Sequence, residues 1–370
     1  MNFKVPLIDL KQRYEEEKEE LLLCVERVLE KGNFVLTPEV TAFEQKAAEY
    51  IGAKHCIGLN SGTDALMMGL MAMGIGKGDE VITSPISFIA STAAIAHVGA
   101  IPVYADVRDD QNIDPSEIES KITSKTKAIM PIHWTGRISE MQTINAIASK
   151  NNLLVIEDSC QSIGAKYHGQ HAGTFGTVGT FSAHPLKALN AIGDAGFLVT
   201  DNDTIAEKVR IYRNHGLVDR DTCVEFGVNS RLDALHAEIL IYRLEKLESI
   251  LKRRRKNVNL YRELITRPEI YIPQCKSHEE NPFVMFLIQA KRRDSLKEFL
   301  AKRKIQTLVY YAKPLHLHPA TKRYNYGLGD FPNAEKQADS VLALPHHQNL
   351  SVDQITFVAK SINDFYELSS

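Results

Sequence analysis

The sequence predicts an α/β fold: a mostly parallel seven-stranded sheet flanked by helices, with a smaller C-terminal α+β domain. Three observations predict it. Short apolar runs alternate with helix-like stretches after residue 52 for about 150 residues, the pattern of successive strand and helix units. After residue 230 the alternation gives way to one long helical pattern over residues 232–264. The 370 residues are enough for two cores, dividing the chain into a large domain over 1–245, N-terminal helices included, and a small one over 246–370.

Each element has its own signal. Tyr14, Leu21, Leu22, Val25, Val28 and Leu29 recur at helical spacing and stop at Gly32, so a first helix runs from about residue 10 to that glycine. Val40, Phe43, Ala47 and Tyr50 make a second amphipathic stretch that ends at Gly52. Strands are expected near 54–59, 80–83, 101–105, 127–132, 153–157, 179–183 and 197–200, most of them parallel and buried on both faces. The long helix carries the basic run 252–256, which among alternating glutamates reads as a solvated face rather than a phosphate or nucleic-acid site. An apolar segment over 282–288, a helix near 294–303 and a final helix near 352–367 complete the small domain.

Composition removes several function classes. Lys plus Arg is 44 and Asp plus Glu is 46, a net charge of −2, which excludes a basic nucleic-acid footprint. The longest apolar stretches, 65–75 and 88–104, are interrupted by Gly, Ser, Thr, His or Pro and do not suit a membrane span. No basic region followed by an apolar one opens the chain, so no signal peptide is expected and the location is cytoplasmic. Five cysteines without a Cys-x-x-Cys pair read as isolated thiols in a reducing compartment. His316 with His318, and His346 with His347, lack an acid or cysteine at ligand spacing, so no metal site is expected.

Three segments carry chemistry. The run Val155-Ile156-Glu157-Asp158 is an apolar strand that delivers an acid at its carboxyl end, where open α/β sheets bind ligands. Lys187 follows 29 residues later, just after another strand and before the glycine-rich Gly193-Asp194-Ala195-Gly196. Upstream, Asn60-Ser61-Gly62-Thr63-Asp64 lies between a strand and a helix, where backbone N–H groups and the helix dipole form a phosphate site. A phosphate cradle, an acid at a strand end and a lysine beyond the next strand are the parts that pyridoxal phosphate requires.

With these residues the chain resembles the DegT/StrS-type sugar aminotransferases of the aspartate aminotransferase superfamily, the fold type I pyridoxal phosphate enzymes. The resemblance covers almost the whole chain. It is carried by Pro38-Glu39-Val40 with Phe43-Glu44, by 61–66, by Ser87-Phe88-Ile89-Ala90, by Glu157-Asp158 with Gln161, by 182–187, by Gly227-Val228-Asn229-Ser230-Arg231 and by Leu344-Pro345. The resemblance implies that Lys187 is the Schiff-base lysine and Asp158 the partner of the pyridine nitrogen. It implies further that Gln161 lies beside the ring, Phe88 stacks on it, and Gly62, Thr63 and Ser182 hold the phosphate. Asn229 is expected to reach the phosphate of a neighbouring subunit's site in a homodimer. His184 and Arg231 are candidates for substrate contact.

The activity implied is transfer of an amino group from an amino acid, glutamate by expectation, to the keto group of a nucleotide-linked sugar. Relatives with histidine in place of the lysine remove a sugar hydroxyl instead, so Lys187 favours transamination over dehydration. An aminocyclitol aminotransferase and a non-enzymatic pyridoxal phosphate-dependent regulator are the alternatives. Thr37, Ala195 and His236-Ala237-Glu238 depart from the family pattern and blur the choice of sugar.

Overall fold

The computed structural model describes residues 3–368. The chain opens on α1 (Leu10–Lys31) and α2 (Pro38–Ile51), closed by Gly32 and Gly52 in the left-handed conformation that glycine adopts without strain. Strands and helices then alternate: β1 (His55–Leu59), α3 (Gly62–Ala72), β2 (Glu80–Thr83), α4 (Ile89–His97), β3 (Ile101–Tyr104), α5 (Pro115–Ile118), β4 (Thr126–Met130), α6 (Met141–Lys150) and β5 (Leu154–Asp158). The short pair β6 (Lys166–Tyr167) and β7 (Gln170–His171) precedes β8 (Val178–Ser182), β9 (Gly196–Thr200) and α7 (Asp203–Tyr212). The long α8 (Ala234–Leu264) leads to β10 (Ile270–Tyr271), β11 (Glu279–Glu280), β12 (Phe286–Ala290), α9 (Arg293–Lys302), α10 (Pro332–Ser340), β13 (Val341–Leu344) and α11 (Val352–Glu367).

Seven strands form the central sheet in the order β1-β9-β8-β5-β4-β2-β3. Strand β9 runs antiparallel to both its neighbours, whereas β8, β5, β4, β2 and β3 are parallel. Side chains that alternate along these strands fill two different cores. Phe181 and Phe197 pack with Phe43 of α2 and with Leu240 and Leu247 of α8. Ile57, Ile156 and Leu198 pack on the opposite face with Leu66 and Leu70 of α3 and Ile95 of α4. Burial on both faces is why these strands read as nearly continuous apolar runs.

The C-terminal part has its own core around the sheet β10-β12-β13, in which Phe286, Ile288, Leu342 and Leu344 meet Ile355, Val358 and Ile362 of α11. Helix α8 belongs to both cores, through Leu240 to Leu251 on one side and through Val258 and Tyr261 on the other. The expected division at residues 245 and 246 lies inside this helix.

Two details depart from the sequence reading. Arg254, inside the basic run, is only 4% exposed and donates to the carbonyls of Phe283 and Val284. Helical spacing lines it up with Leu247, Leu251, Val258 and Tyr261 on the buried stripe, while Lys252, Arg253 and Lys256 stay in solvent. The apolar segment at 282–288 enters the sheet only at Phe286, because the carbonyls of Phe283 and Val284 face Arg254 and Val284 N donates to Thr135 O.

Candidate active site

The carboxyl ends of β1, β5 and β8 and the first residue of antiparallel β9 meet at one end of the sheet: Gly196 is paired with Leu59 on one side and with Ser182 on the other. A cavity of about 400 Å³ opens there. Gly62, Thr63, Phe88, Asp158, Gln161 and Ser182 line it, together with His184 and Lys187.

The cradle begins where β1 turns into α3. Ser61 caps the helix by accepting from Asp64 N at 3.0 Å, and the first-turn N–H groups of Gly62 and Thr63 have no intrahelical acceptor. Only glycine fits at 62: a Cβ there would lie 2.8 Å from both Cys160 Sγ and Ser182 Cβ. Gly196 is equally constrained from behind, since its Cβ would lie 2.3 Å from the carbonyl carbon of Ser61 and 2.5 Å from Gly62 N. Close packing of two backbones thus sets the position of the cradle.

Asp158 ends β5, and at 5% exposure its carboxylate depends on partners. Ser91 Oγ of α4 donates to Oδ2 at 2.7 Å, and Cys160 N donates to Oδ1 at 3.2 Å. Its strand neighbour Glu157 is fully buried. Glu157 pairs with His133 at 2.8 Å and accepts from the N–H groups of Gly173, Phe175 and Gly176, which anchors the strand end. Gln161 Oε1 accepts from Thr135 N at 2.8 Å, so this side chain reaches the cavity in one fixed orientation. Phe88, the N-cap residue of α4, is half exposed at the cavity and faces Tyr311 with ring centroids 6.0 Å apart.

Lys187 sits in a turn after β8, its N–H bonded to His184 O at 2.8 Å. Burial pushes its ammonium below the usual lysine range, and the nearby Cys160 and Asp158 oppose that shift. Burial likewise pulls His184 down, Asp194 opposing and Lys187 assisting. The same effect, reinforced by Asp158, raises the Cys160 thiol. The chemistry available is that of a lysine shifted towards its neutral amine, close to a buried carboxylate and sharing one cavity with an anion cradle.

Asn229 and Arg231 lie apart from this cavity. Asn229 is exposed and forms an antiparallel bridge with Asn214, and Arg231 Nη1 donates to Asn214 Oδ1 at 3.1 Å. Other lining residues escaped the sequence reading. Tyr310 and Tyr311 come from the C-terminal part, with Met285, and Ile8 from the N-terminus. Ser91 stands one helical turn after Ser87, a spacing that carried a signal only once Ser87 was placed at the cavity.

The family model described as the DegT/DnrJ/EryC1/StrS aminotransferase family matches residues 15–363. A Geobacillus stearothermophilus protein named pleiotropic regulatory protein is 39% identical over 98% of each chain. The dTDP-3-amino-3,6-dideoxy-alpha-D-galactopyranose transaminase of Aneurinibacillus thermoaerophilus is also 39% identical, over 98% of this chain and 99% of its own. Among solved structures, S. venezuelae DesV in complex with a ketimine intermediate matches with a TM-score of 0.96 at 36% identity, over 98% of both chains. The chain belongs to the DegT/DnrJ/EryC1/StrS aminotransferase family.

Proposed function

We propose that the chain is a pyridoxal phosphate-dependent aminotransferase that takes an amino group from an amino acid, glutamate in our reading, and gives it to the keto group of a nucleotide-linked sugar. The observation that carries this reading is that Lys187, Asp158 and the cradle between Gly62 and Ser182 share one cavity. The residues fit the coenzyme: a glycine-only approach for a phosphate at Gly62, a buried carboxylate for a pyridinium, and an amine in the same cavity. The named sugar substrate of the Aneurinibacillus relative supports the acceptor class.

In this reading the first-turn N–H groups of Gly62 and Thr63, with Ser182 Oγ, hold the phosphate. Asp158 would pair with the ring nitrogen, and Gln161 and Phe88 would contact the ring. Lys187 Nζ is the anchoring amine and, when free, the base that takes up a proton from a substrate carbon and returns it. Its lowered pKa keeps more of it neutral near pH 7 than an ordinary lysine would be. When bound, pyridoxal phosphate supplies a carbonyl carbon that reacts with amines and a ring that accepts electrons from the substrate. His184, which lines the cavity, would contact the sugar in this reading.

We further read the working unit as a homodimer with shared sites, in which Asn229 serves the partner's phosphate and Arg231 a substrate carboxylate or nucleotide. The loop that carries Asn229 exposes Val224, Val228 and Phe226, the last 94% accessible, and this exposed apolar surface supports the reading. No helix among the described residues is long and apolar enough to cross a membrane, and we assign the reaction to the cytoplasm. Borohydride reduction after loading with pyridoxal phosphate, followed by peptide mass mapping, tests the reading. The adduct is expected on Lys187 and absent from Lys187→Ala; an adduct on another lysine, or none, overturns it. Anchoring at Lys187 without turnover of any donor would instead favour a regulatory role such as the Geobacillus relative's name describes.

A further inference from the structure

The carboxylate of Asp158 has a partner that the active-site reading above leaves unused. Ser91 Oγ donates to Asp158 Oδ2 at 2.7 Å, and Ser87 Oγ lies 2.9 Å from Ser91 Oγ. A hydroxyl carries one proton. Because that of Ser91 is committed to the carboxylate, the proton between the two serines belongs to Ser87, and the chain has one direction: Ser87 to Ser91 to Asp158. Ser91 and Ser87 are 1% and 2% exposed, so their hydroxyls are largely withdrawn from water. Both sit around the first turn of α4, whose N-terminal dipole also favours a negative charge there.

We propose that Ser91 is the positioning residue for Asp158, and that Ser87 sets the direction of its hydroxyl. The proposal rests on Asp158 being the partner of the coenzyme's ring nitrogen. Cys160 N holds Oδ1 and Ser91 holds Oδ2, so the carboxylate plane is fixed from two sides at the cavity wall. A hydroxyl donor to a buried carboxylate also stabilises its ionised form, the form that stabilises a pyridinium. Ser91 acts on the coenzyme only through Asp158. Without it, Oδ2 loses its hydroxyl donor at a largely buried position, and the carboxylate plane is free to turn.

The test is binding of pyridoxal phosphate to the coenzyme-free full chain, followed by absorbance from pH 5 to 9. Ser91→Ala is expected to weaken binding at pH 6 by about tenfold and to move the acid limb of the binding profile up by about one pH unit. Ser87→Ala, which leaves Ser91 in place but undirected, is expected to move it in the same direction by less. Ser91→Thr, which retains the hydroxyl, is expected to bind as the wild type does. In an Asp158→Asn background Ser91→Ala is expected to add nothing, because the group it serves is gone. An unmoved acid limb in both Ser91→Ala and Ser87→Ala overturns the proposal, as does an undiminished effect of Ser91→Ala beside Asp158→Asn. Wild-type binding by Asp158→Asn alone is a separate result that overturns the role of Asp158 itself.

Discussion

Gly196→Ala perturbs the cradle without touching a group that reacts. The added Cβ would lie 2.3 Å from the carbonyl carbon of Ser61 and 2.5 Å from both Ser61 O and Gly62 N, where ordinary contacts begin near 3.4 Å. All three atoms are backbone, so no side-chain rotation relieves the clash. The Ser61–Gly62 peptide must retreat by about 1 Å, enough to stretch a 2.9 Å hydrogen bond beyond bonding range. Loss of one charge-assisted bond to a phosphate costs about 1.5–3 kcal/mol, which makes binding of pyridoxal phosphate about ten- to a hundredfold weaker. Overpacking adds a stability loss of about 1–3 kcal/mol. Absorbance titration of the coenzyme-free protein measures the first effect and thermal unfolding the second. Gly327→Ala is the control, because a Cβ there meets nothing within 4 Å. A folded Gly196→Ala protein that binds pyridoxal phosphate within about twofold of wild type would refute the argument.

Two further outcomes follow from other parts of the fold. Burial lowers His347 from 6.5 to about 4, with Arg254 adding to the shift and Asp9 opposing it, so the unfolded chain takes up its proton first as pH falls. The stability that this neutral ring confers is complete above about pH 6.5 and is lost towards pH 4, about 2 kcal/mol of it by pH 5. Urea unfolding is expected to show a smaller drop between pH 7 and 5 for His347→Gln than for wild type; parallel drops would contradict it. For the shared dimer sites, mixing inactive Lys187→Ala with inactive Asn229→Asp chains is expected to restore activity, since a heterodimer gathers both lesions into one site. No recovery after verified subunit exchange would show that each chain completes its own site.

What the sequence discloses and what it withholds have separate physical causes. The seven sheet strands were legible because both faces are buried and glycines mark the ends of neighbouring helices, as Gly32 and Gly52 do for α1 and α2. The ladder of β4 ends at Met130, two residues short of the end of the 127–132 run, where Pro131 has no N–H to donate. Asp158 and Lys187 stood out because adjacent parallel strands bring their carboxyl ends together whatever lies between them. Tyr310 and Tyr311 carried no such signal: they reach the cavity by packing of the C-terminal part against the sheet, through contacts such as Tyr311 with Trp134. The burial of Arg254 was hidden for a similar reason, since its acceptors, the carbonyls of Phe283 and Val284 and Gln348 Oε1, come from 29, 30 and 94 residues away.

The reaction proposed for this cavity moves nitrogen from an amino acid to a nucleotide-linked sugar with Lys187 as the working amine. The most direct measurement loads the protein with pyridoxal phosphate, supplies nitrogen-15 glutamate and a panel of nucleotide-linked keto sugars, and follows the products by mass. Release of the oxo acid and of an aminated nucleotide sugar that carries the heavy nitrogen is expected, with both abolished in Lys187→Ala. Heavy nitrogen that never reaches a sugar across the panel, or reaches it equally well in Lys187→Ala, would contradict it.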